Sequence, residues 1–295
     1  MEAQANLYII KMKVGIFLSC YNSEDTIEEC VYSILDQSEN DFNLYIFDDN
    51  STDNTVDKIK KNKDSRVKII SSDKNMGTYA SKNFLLNKYG NKHKYIALHD
   101  ADDISIKNRL EEQVLFLDKS CEKTACCGTN IIEFWEDDYL PHTVSSEQIK
   151  QKSRKNFYPA ELNKSILNDV VNYLQTEGDY QKYMKTKFCM NGSLMFKSST
   201  LSEFGGWDGR THIAADTDII LRILSNYRIF NLQNFLYKRR FSNKSLTGSA
   251  KVGVFSEARK QYNLKRVNIA QAAIKGKVQK QDFYFPKFND KCVRS

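Results

Sequence analysis

The sequence predicts an α/β fold in which helices cover both faces of a mostly parallel sheet. Over the first 120 residues, short apolar runs alternate with amphipathic stretches of helical periodicity, which is the order of strand–helix–strand units. Acidic residues directly follow two of the apolar runs, at the strand ends where ligands bind in such sheets. The composition agrees, because 41% apolar and 27% charged residues are ordinary for a chain that buries a core.

The predicted elements follow these runs in order. Strands are expected over residues 13–19, 42–47, 66–71, 95–99 and 124–135. Helices are expected over residues 23–37, from about Thr55, and over residues 78–89. Apolar residues of the first helix recur at helical spacing and form one face, with Ser23 or Asn22 as the expected cap. That apolar face consists of Ile27, Val31, Ile34 and Leu35.

The second half of the chain is less regular. A long polar and helical stretch runs from about Glu136 to Lys187, and a basic, aromatic tail follows residue 250. We find no internal repeat and no Gly/Ser linker in the sequence. We therefore expect a single domain over residues 1–250 and an appended tail over residues 251–295, which would be ordered only against a partner or the domain itself.

Composition also disfavours several classes of protein. The seven cysteines are an odd number without C-x-x-C spacing, which is typical of reduced thiols in a cytosolic protein rather than a disulfide framework or a zinc site. The net charge of +7 is mild and spread along the chain, so it does not predict nucleic-acid binding. The apolar runs fall short of the roughly 20 residues of a membrane span, and we expect a chain that is neither secreted nor membrane-spanning.

Three carboxylates crowd together after the strand expected at residues 95–99. Asp100, Asp102 and Asp103 lie within four positions, and each raises the cost of ionising the next. One interpretation is a solvated loop in which Asp102 or Asp103 caps the helix that follows. The other is a metal site, because Mg²⁺ typically takes one or two carboxylates together with substrate phosphates. The helix that follows carries the apolar residues Leu110, Val114 and Leu117.

Asp48 ends another expected strand, in the segment FDDNSTDNT. The segment fits an Asx-rich turn in which Ser51 or Thr52 starts a helix. It fits equally well a ligand site in which Asp48, at the edge of the sheet, accepts a hydrogen bond from a base N–H. The residues alone leave both interpretations open.

Six segments taken together resemble a known family. They are VGIFLSCYN, FDDNSTDNT, NMGTYASKN, HDADD, GGWD and AADTDIILRIL. In this order and at these spacings they are similar to the family 2 glycosyltransferases with the GT-A fold, over about residues 13–248. The resemblance implies a nucleotide-sugar-binding half over residues 13–120 and an acceptor-binding half over residues 121–250. An insertion over residues 136–187 would overhang the acceptor side.

The resemblance implies roles for residues on the donor side. Ser19 and Tyr21 would line the nucleotide pocket, with the Tyr21 ring against the base. Asp48 would accept the uracil N3–H. Lys82, where the family commonly has Arg, would keep a positive charge near the base or the diphosphate. Asp100 would lie by the ribose and the metal, and Asp102 would bind Mg²⁺ or Mn²⁺ bridging the diphosphate.

On the acceptor side, Asp216 matches the catalytic aspartate of the family, and Ala215 takes the position where the family usually has Glu. Asp216 would also suit the cap of its helix, and a carboxylate at a helix N-terminus stays ionised. Trp207 and Asn191 are candidate acceptor contacts, although a Trp beside a turn is more often packed in the core. Possible sugar platforms in the insertion are Tyr173, Tyr180 and Tyr183.

One departure from the family pattern stands near the end of the domain. Phe241 occupies the position where the family often has His. Arg239, Arg240 or a water would then have to supply the metal or phosphate contact of that His. His212 is a loop candidate, but a lone His is more often structural than a ligand.

The resemblance implies a metal-dependent, inverting glycosyltransferase. It would move a sugar from a UDP-sugar to a hydroxyl of a glycan or lipid-linked acceptor, with Mn²⁺ or Mg²⁺ as cofactor. We expect it in the cytoplasm, with its tail contacting a membrane surface or a partner protein. A sugar nucleotidyltransferase is disfavoured, because the segment SCYNSEDT lacks the Gly-rich loop of that class. A non-catalytic sugar- or nucleotide-binding module is supported only by Ala215 and Phe241.

Overall fold

The structure is a computed structural model. It describes residues 12–135, 152–168, 189–210, 215–242 and 268–277, and the backbone of residues 293–294. These residues form an α/β fold, in which helices pack on both faces of a curled sheet. The predicted fold class is confirmed.

The helices and strands have the following bounds. The strands are β1 (Met12–Cys20), β2 (Phe42–Asp48), β3 (Val67–Ser72), β4 (His93–Asp100), β5 (Ile104–Ser105), β6 (Thr124–Trp135), β7 (Ser153–Asn156), β8 (Glu161–Leu162), β9 (Met195–Lys197), β10 (Arg228–Phe241) and β11 (Val293–Arg294). The α-helices are α1 (Ile27–Leu35), α2 (Thr55–Lys61), α3 (Thr78–Tyr89), α4 (Arg109–Lys119), α5 (Ser198–Phe204) and α6 (Ala215–Ile223). Short 3₁₀ turns cover Gly90–Lys92 and Asn191–Ser193.

The sheet order is β11-β3-β2-β1-β4-β9-β6-β10-β5. Strands β3, β2, β1 and β4 are parallel neighbours, and β6 and β10 form a second parallel pair. The antiparallel strand β9 joins these two groups. Because β1, β2 and β4 run in the same direction, their carboxyl ends meet at one edge of the sheet, where a ligand site is expected.

Two apolar layers form the core, one on each face of the sheet. Successive side chains of a strand point to opposite faces, so Phe17 packs in one layer while Ile16 and Leu18 pack in the other. Helices α3, α5 and α6 cover the Phe17 face, and α1 and α4 cover the opposite face. The apolar faces predicted for α1 and α4 are both directed into this core.

The predicted helix caps are wrong in two places. The N-cap position of α1 is Thr26, whose side chain makes no capping hydrogen bond, and the backbone carbonyl of Ser23 accepts the N–H groups of Thr26 and Ile27. Helix α4 starts after Asn108, so neither Asp102 nor Asp103 caps it. In both cases the predicted capping side chain lies outside the first turn of the helix. From that position it cannot reach the unpaired N–H groups of the turn.

Part of the predicted tail packs against the domain. Residues 268–274 are helical, and Ala270 and Ala273 are fully buried in the core layer that contains Phe17. The backbone of Val293–Arg294 pairs with the outer edge of β3.

The candidate sugar platforms Tyr173, Tyr180 and Tyr183 lie outside the described residues, as does His212. In the part of the chain that the structure describes, no helix combines the length and apolar character needed to cross a membrane.

Candidate active site

The carboxyl ends of three parallel strands bring the predicted donor-side residues together. In the strand register Ser19 lies opposite Asp100, and Cys20 lies opposite Asp48. Tyr21 follows directly beyond the end of β1 and is 49% exposed. Residues that are far apart in sequence therefore lie along one edge because the parallel strands are aligned there.

Asp48 borders an open cavity of about 580 Å³ at this edge. Its carboxylate is buried, and its Oδ1 accepts the backbone N–H of Ser51 at 3.2 Å. The lining comes from the ends of β2 and β3 and from α2. It consists of Asp48, Asn50, Ser51, Val56, Lys60, Ile69, Ser71, Ser72 and Asp73. A buried acceptor group at the wall of an open cavity is suited to reading one donor group of a ligand.

Asp49 fixes the loop that leads into α3. Its two carboxylate oxygens accept the backbone N–H groups of Met76 and Gly77, at 2.7 and 2.8 Å. Gly77 has a φ of +87°, a conformation that residues with a Cβ rarely adopt. This pairing anchors the start of the helix that carries Lys82.

Lys82 reaches the acidic loop from α3. Its side chain is buried, and its Nζ lies 3.2 Å from Oδ1 of Asp100. Burial opposes ionisation of Asp100, but the charge and the hydrogen bond of Lys82 outweigh it and lower the pKa of the carboxyl. The side chain of Asp100 remains 32% exposed. The pair thus places a cation and an anion at the ligand edge of the sheet.

Strand β10 holds the other end of the acidic loop. The backbone N–H of Arg240 donates to Oδ1 of Asp103 at 2.8 Å, and its Nε donates to the carbonyl of Asp102 at 2.9 Å. The guanidinium of Arg240 also pairs with Glu29 on α1. Burial, with the charges of Asp102 and Asp100, raises the pKa of Asp103 well above its usual range. Asp103 is therefore a structural anchor of the loop.

Asp102 lies between Asp100 and Asp103 in the acidic loop. Burial and the neighbouring charge of Asp100 raise its pKa to about 6. Within the described residues, no group of three or more His, Cys, Asp and Glu side chains could hold a metal ion. Asp100 and Asp102 nevertheless offer the hard carboxylate oxygens that Mg²⁺ and Mn²⁺ prefer, and Mg²⁺ usually completes its set with phosphate oxygens. These residues fit an ion shared with a nucleotide diphosphate.

The 3₁₀ turn at Asn191–Ser193 packs closely behind Asp100. A Cβ at Gly192 would lie 2.3 Å from the hydroxyl of Tyr237 and 2.9 Å from Oδ2 of Asp100. The Tyr237 hydroxyl accepts the backbone N–H of Asp100 at 3.2 Å. Only glycine leaves room for this approach, so the turn is fixed against the acidic loop.

Asp216 lies in the first turn of α6 and borders a small cavity of about 30 Å³. Its Oδ1 accepts the N–H of Thr217 at 2.9 Å. Asn191 lines the same cavity, and among the described residues its buried Oδ1 has no hydrogen-bond partner. The other lining residues are Cys189, Leu194, Thr217 and Ile220. Two predicted acceptor-side residues therefore meet at one cavity.

Trp207 does not meet the acceptor-side prediction. It is 2% exposed, and its ring packs edge-to-face against Phe196, with the ring centroids 6.5 Å apart. The structure therefore agrees with the alternative that this Trp is packed in the core. A ring buried on this scale is not available as a platform for a sugar.

Phe241, the departure from the family pattern, supports a cation. The Arg239 guanidinium carbon lies 4.4 Å from the centre of the Phe241 ring, and Nη1 lies 3.5 Å from Oε1 of Glu133. Burial opposes the charge of Arg239, but Glu133 and the carboxylates of the acidic loop, Asp103 and Asp102, raise its pKa. A second positive charge thus lies beside the acidic loop.

Sequence reasoning missed a buried polar network behind this loop. Arg109 donates from Nη2 to the carbonyl of Leu98 at 2.8 Å, from Nη1 to Oγ of Ser105 at 3.0 Å, and from Nε to Oε1 of Gln113 at 3.1 Å. Gln113 in turn donates to the carbonyl of Ser193 at 2.8 Å. The i, i+4 spacing of Arg109 and Gln113 was visible in the sequence. Nothing local indicated that both side chains would be buried.

The chain matches one protein family over most of its length. Residues 16–202 match the profile described as glycosyl transferase family 2. A Bacillus subtilis protein named "Putative glycosyltransferase EpsE" is 31% identical over 248 residues, which cover 80% of this chain and 78% of EpsE. An Escherichia coli protein named UDP-Glc:alpha-D-GlcNAc-diphosphoundecaprenol beta-1,3-glucosyltransferase WfgD is 36% identical over 107 residues, covering 36% of this chain and 42% of WfgD.

Solved structures with the GT-A fold resemble this one over nearly the whole chain. Staphylococcus aureus TarS 1–349, solved with UDP-GlcNAc, superposes with a TM-score of 0.57 at 15% identity, covering 95% of this chain and 77% of TarS. The Pyrobaculum calidifontis mannosyltransferase PcManGT, solved with GDP-Man and Mn²⁺, gives a TM-score of 0.53 at 14% identity, covering 88% of this chain and 73% of PcManGT. At these identities the likeness shows a shared fold.

Proposed function

The chain belongs to glycosyl transferase family 2, and on that premise we propose a metal-dependent, inverting transfer of a sugar from a UDP-sugar to a hydroxyl of a glycan or lipid-linked acceptor. One observation carries the proposal. Asp48, Lys82, Asp100 and Asp102 converge on one edge of the sheet, and Asp48 borders an open cavity there. The side chains at this edge suit a base, a diphosphate and a cation in turn.

Asp48 would select the base of the nucleotide. Uracil presents an N3–H donor that a carboxylate can accept, whereas cytosine presents an acceptor at the same position. WfgD is named for a UDP-sugar, and TarS was solved with UDP-GlcNAc. These relatives support a uracil nucleotide as the donor, and the GDP-Man bound to PcManGT names the competing outcome.

Asp100 and Asp102 would hold the divalent ion, and Lys82 would contribute a fixed positive charge beside it. Bound together with the nucleotide, the ion would neutralise the charge that develops on the leaving UDP. Lys82 keeps Asp100 ionised without any metal, so a ligand for the ion is already in place. The Mn²⁺ in PcManGT supports a divalent ion in this fold.

Asp216 would act as the general base. It would take the proton of the acceptor hydroxyl as that oxygen attacks the anomeric carbon from the face opposite the diphosphate. The bond from the anomeric carbon to the diphosphate oxygen breaks, and its electron pair leaves with UDP. Asp216 is suited to this role because it borders a cavity at the N-terminal end of α6.

A lipid-linked acceptor would place the enzyme at a membrane surface as a peripheral protein. Support comes from the name of WfgD, which specifies a diphosphoundecaprenol acceptor. A glycan acceptor without a lipid would leave the same donor chemistry unchanged. The two cases separate in a transfer assay with and without the lipid group.

A thermal-shift series tests the donor and the metal together. UDP, GDP and CDP are each added with Mn²⁺ or with EDTA, since a ligand that binds only the native state raises the melting temperature by mass action. We expect UDP with Mn²⁺ to give the largest rise, and Asp102→Asn to lose the metal-dependent part while remaining folded. UDP stabilisation that is equal with Mn²⁺ and with EDTA would remove the metal from the proposal.

Asp118→Asn is the matched control for this series. Asp118 is a carboxylate that bonds Lys94 and Tyr95 near the amino-terminal end of β4, away from the acidic loop. Its variant should keep the full metal-dependent rise. Transfer from the stabilising UDP-sugar to lipid-linked and lipid-free acceptors then tests the reaction. Strong UDP binding with neither transfer nor hydrolysis would instead indicate a binding module.

A further inference from the structure

Two adjacent residues of α3 contact two different parts of the candidate site. Lys82 points to the donor side and pairs with Asp100. Asn83 is fully buried and bonds the backbone of Trp207 twice. Its Oδ1 accepts the N–H of Trp207 at 2.9 Å, and its Nδ2 donates to the carbonyl of the same residue at 2.7 Å. Asn83 thus clamps the chain at Trp207 through both halves of its amide.

The clamped segment is the turn formed by Gly205, Gly206 and Trp207. Both glycines have positive φ, +83° and +67°, which residues with a Cβ rarely adopt. A Cβ at Gly206 would lie 2.4 Å from Oδ1 of Asn83. The turn can therefore lie this close to α3 only because residue 206 is glycine, and the amide of Asn83 fixes it there.

Helix α6 holds the same turn from its other side. Arg222 donates from Nη2 to the carbonyl of Gly206 at 2.7 Å and from Nη1 to the carbonyl of Phe204. The guanidinium is buried and paired with Asp218, one turn earlier on α6, at 2.9 Å. Two side chains of α6 are therefore committed to the position of this turn. Asp216 lies in the first turn of that helix.

We propose that Asn83 is a positioning residue for Asp216, acting through the turn at residues 205–207 and through Arg222. This inference rests on the proposed role of Asp216 as the base. It adds that α3 positions groups on both sides of the site. Lys82 contacts Asp100 on the donor side, and Asn83 fixes the turn that also holds α6, the helix of the proposed base. A displacement of about 1 Å at a reacting group can lower the rate about 10²-fold. The two hydrogen bonds of Asn83 therefore affect the turnover rate.

The test separates turnover from donor binding. Asn83→Leu removes both hydrogen bonds at similar size, and Asn83→Ser provides a smaller, polar replacement. For each variant we would measure kcat and KM for UDP release from the UDP-sugar that supports turnover, per mole of folded enzyme, and UDP affinity by calorimetry. We expect Asn83→Leu to lower kcat about 10- to 100-fold and to change UDP affinity less than about twofold. Asn83→Ser should lie between Asn83→Leu and the unmodified protein.

Two controls distinguish positioning from loss of stability. Asn231 on β10 is also a buried Asn, and its Nδ2 donates to the carbonyl of Pro159 at 2.8 Å. Asn231→Leu should lower stability and leave kcat per folded enzyme unchanged. Combining Asn83→Leu with Arg222→Lys should give less than the product of the two single effects on kcat, because both residues act on one turn.

The outcomes separate this inference from the proposed function. If Asp216→Asn abolishes turnover while Asn83→Leu keeps kcat within about twofold of the unmodified protein, the positioning role is wrong and the base assignment stands. If Asp216→Asn leaves turnover normal, the proposed mechanism itself fails. Should Asn83→Leu not fold, the kcat of Asn83→Ser decides, and a normal value overturns the inference.

Discussion

Replacing Lys82 by Met removes the cation that compensates Asp100. Lys82 is 1% exposed and its Nζ lies 3.2 Å from Oδ1 of Asp100. Its charge and its hydrogen bond are the two largest influences that lower the pKa of Asp100 against the effect of burial. Met retains much of the length and apolar character of the side chain, so Lys82→Met isolates the loss of the ammonium group.

The expected loss of stability follows from the burial of the pair. Removing one partner of a buried ion pair costs about 3–5 kcal/mol. The side chain of Asp100 is 32% exposed, so water screens part of its charge. We therefore expect the free energy of unfolding to fall by about 2–3 kcal/mol in Lys82→Met. If Lys82 also donates to the diphosphate, losing that charged hydrogen bond removes about 1.5–3 kcal/mol of binding, which weakens UDP about 10- to 150-fold.

Urea denaturation without nucleotide measures the first quantity, and calorimetric titration of UDP with Mn²⁺ measures the second. Lys82→Arg keeps a cation and should recover most of both. Lys94→Met is the matched control, because Lys94 pairs with Asp118 at the exposed end of the same strand that carries Asp100. It should cost less than about 1 kcal/mol and leave UDP affinity unchanged. The reasoning is refuted if Lys82→Met keeps both the stability and the UDP affinity of the unmodified protein.

Three further predictions concern base selection, proton transfer and pH. The unmodified protein should bind CDP more weakly than UDP by about 1–3 kcal/mol, the cost of an unpaired buried polar group, and in a competition titration Asp48→Ala should reduce this difference in affinity. Equal affinity for UDP and CDP in the unmodified protein would contradict the role of Asp48 in base selection. Asp216→Asn should lower the rate of transfer about 10²- to 10⁴-fold with little change in UDP affinity. With the unmodified protein and an α-linked UDP-sugar, NMR of the product should show a β linkage, and a retained α linkage would overturn the mechanism. Burial lowers the pKa of His93 to about 4, so its contribution to stability is complete above pH 6.5 and declines as pH falls towards 4. Between pH 7.5 and pH 5 the protein should lose about 2 kcal/mol through this residue, and urea titrations of His93→Gln should show a correspondingly smaller loss.

The regular elements were predictable because periodicity and turn residues are local properties. The helix over Thr78–Tyr89 and the strand over Thr124–Trp135 have the bounds that the sequence predicted. Both correspond to clear apolar runs or turn-bounded segments, where local and tertiary preferences agree. Other strands extend only one or two residues beyond the predicted bounds, as His93–Asp100 does.

The caps and anchors were not predictable, because their partners come from distant parts of the chain. Asp103 suited a helix cap, but its carboxylate pairs with the N–H of Arg240, 137 residues later. Thr26 occupies the N-cap position of α1, but its hydroxyl donates to the carbonyl of Ala101 and makes no capping hydrogen bond. A motif match predicts which residues lie at an edge of the sheet. It does not predict which buried polar group each of these residues will hydrogen-bond, because the choice of partner depends on the complete fold.

The three crowded carboxylates illustrate how the complete fold divides one acidic segment into separate roles. Asp100 is paired with a buried lysine, and Asp103 accepts a backbone N–H from β10. The backbone carbonyl of Asp102 accepts a hydrogen bond from Arg240, and burial beside Asp100 raises the pKa of the Asp102 side chain to about 6. We expect an added cation to stabilise the ionised form of this carboxylate, because it would offset the burial and the charge of Asp100 that raise the pKa. Asp103 can be lost only with the loop geometry and Asp100 only with its ion pair, so a substitution at Asp102 is the one that separates metal binding from folding.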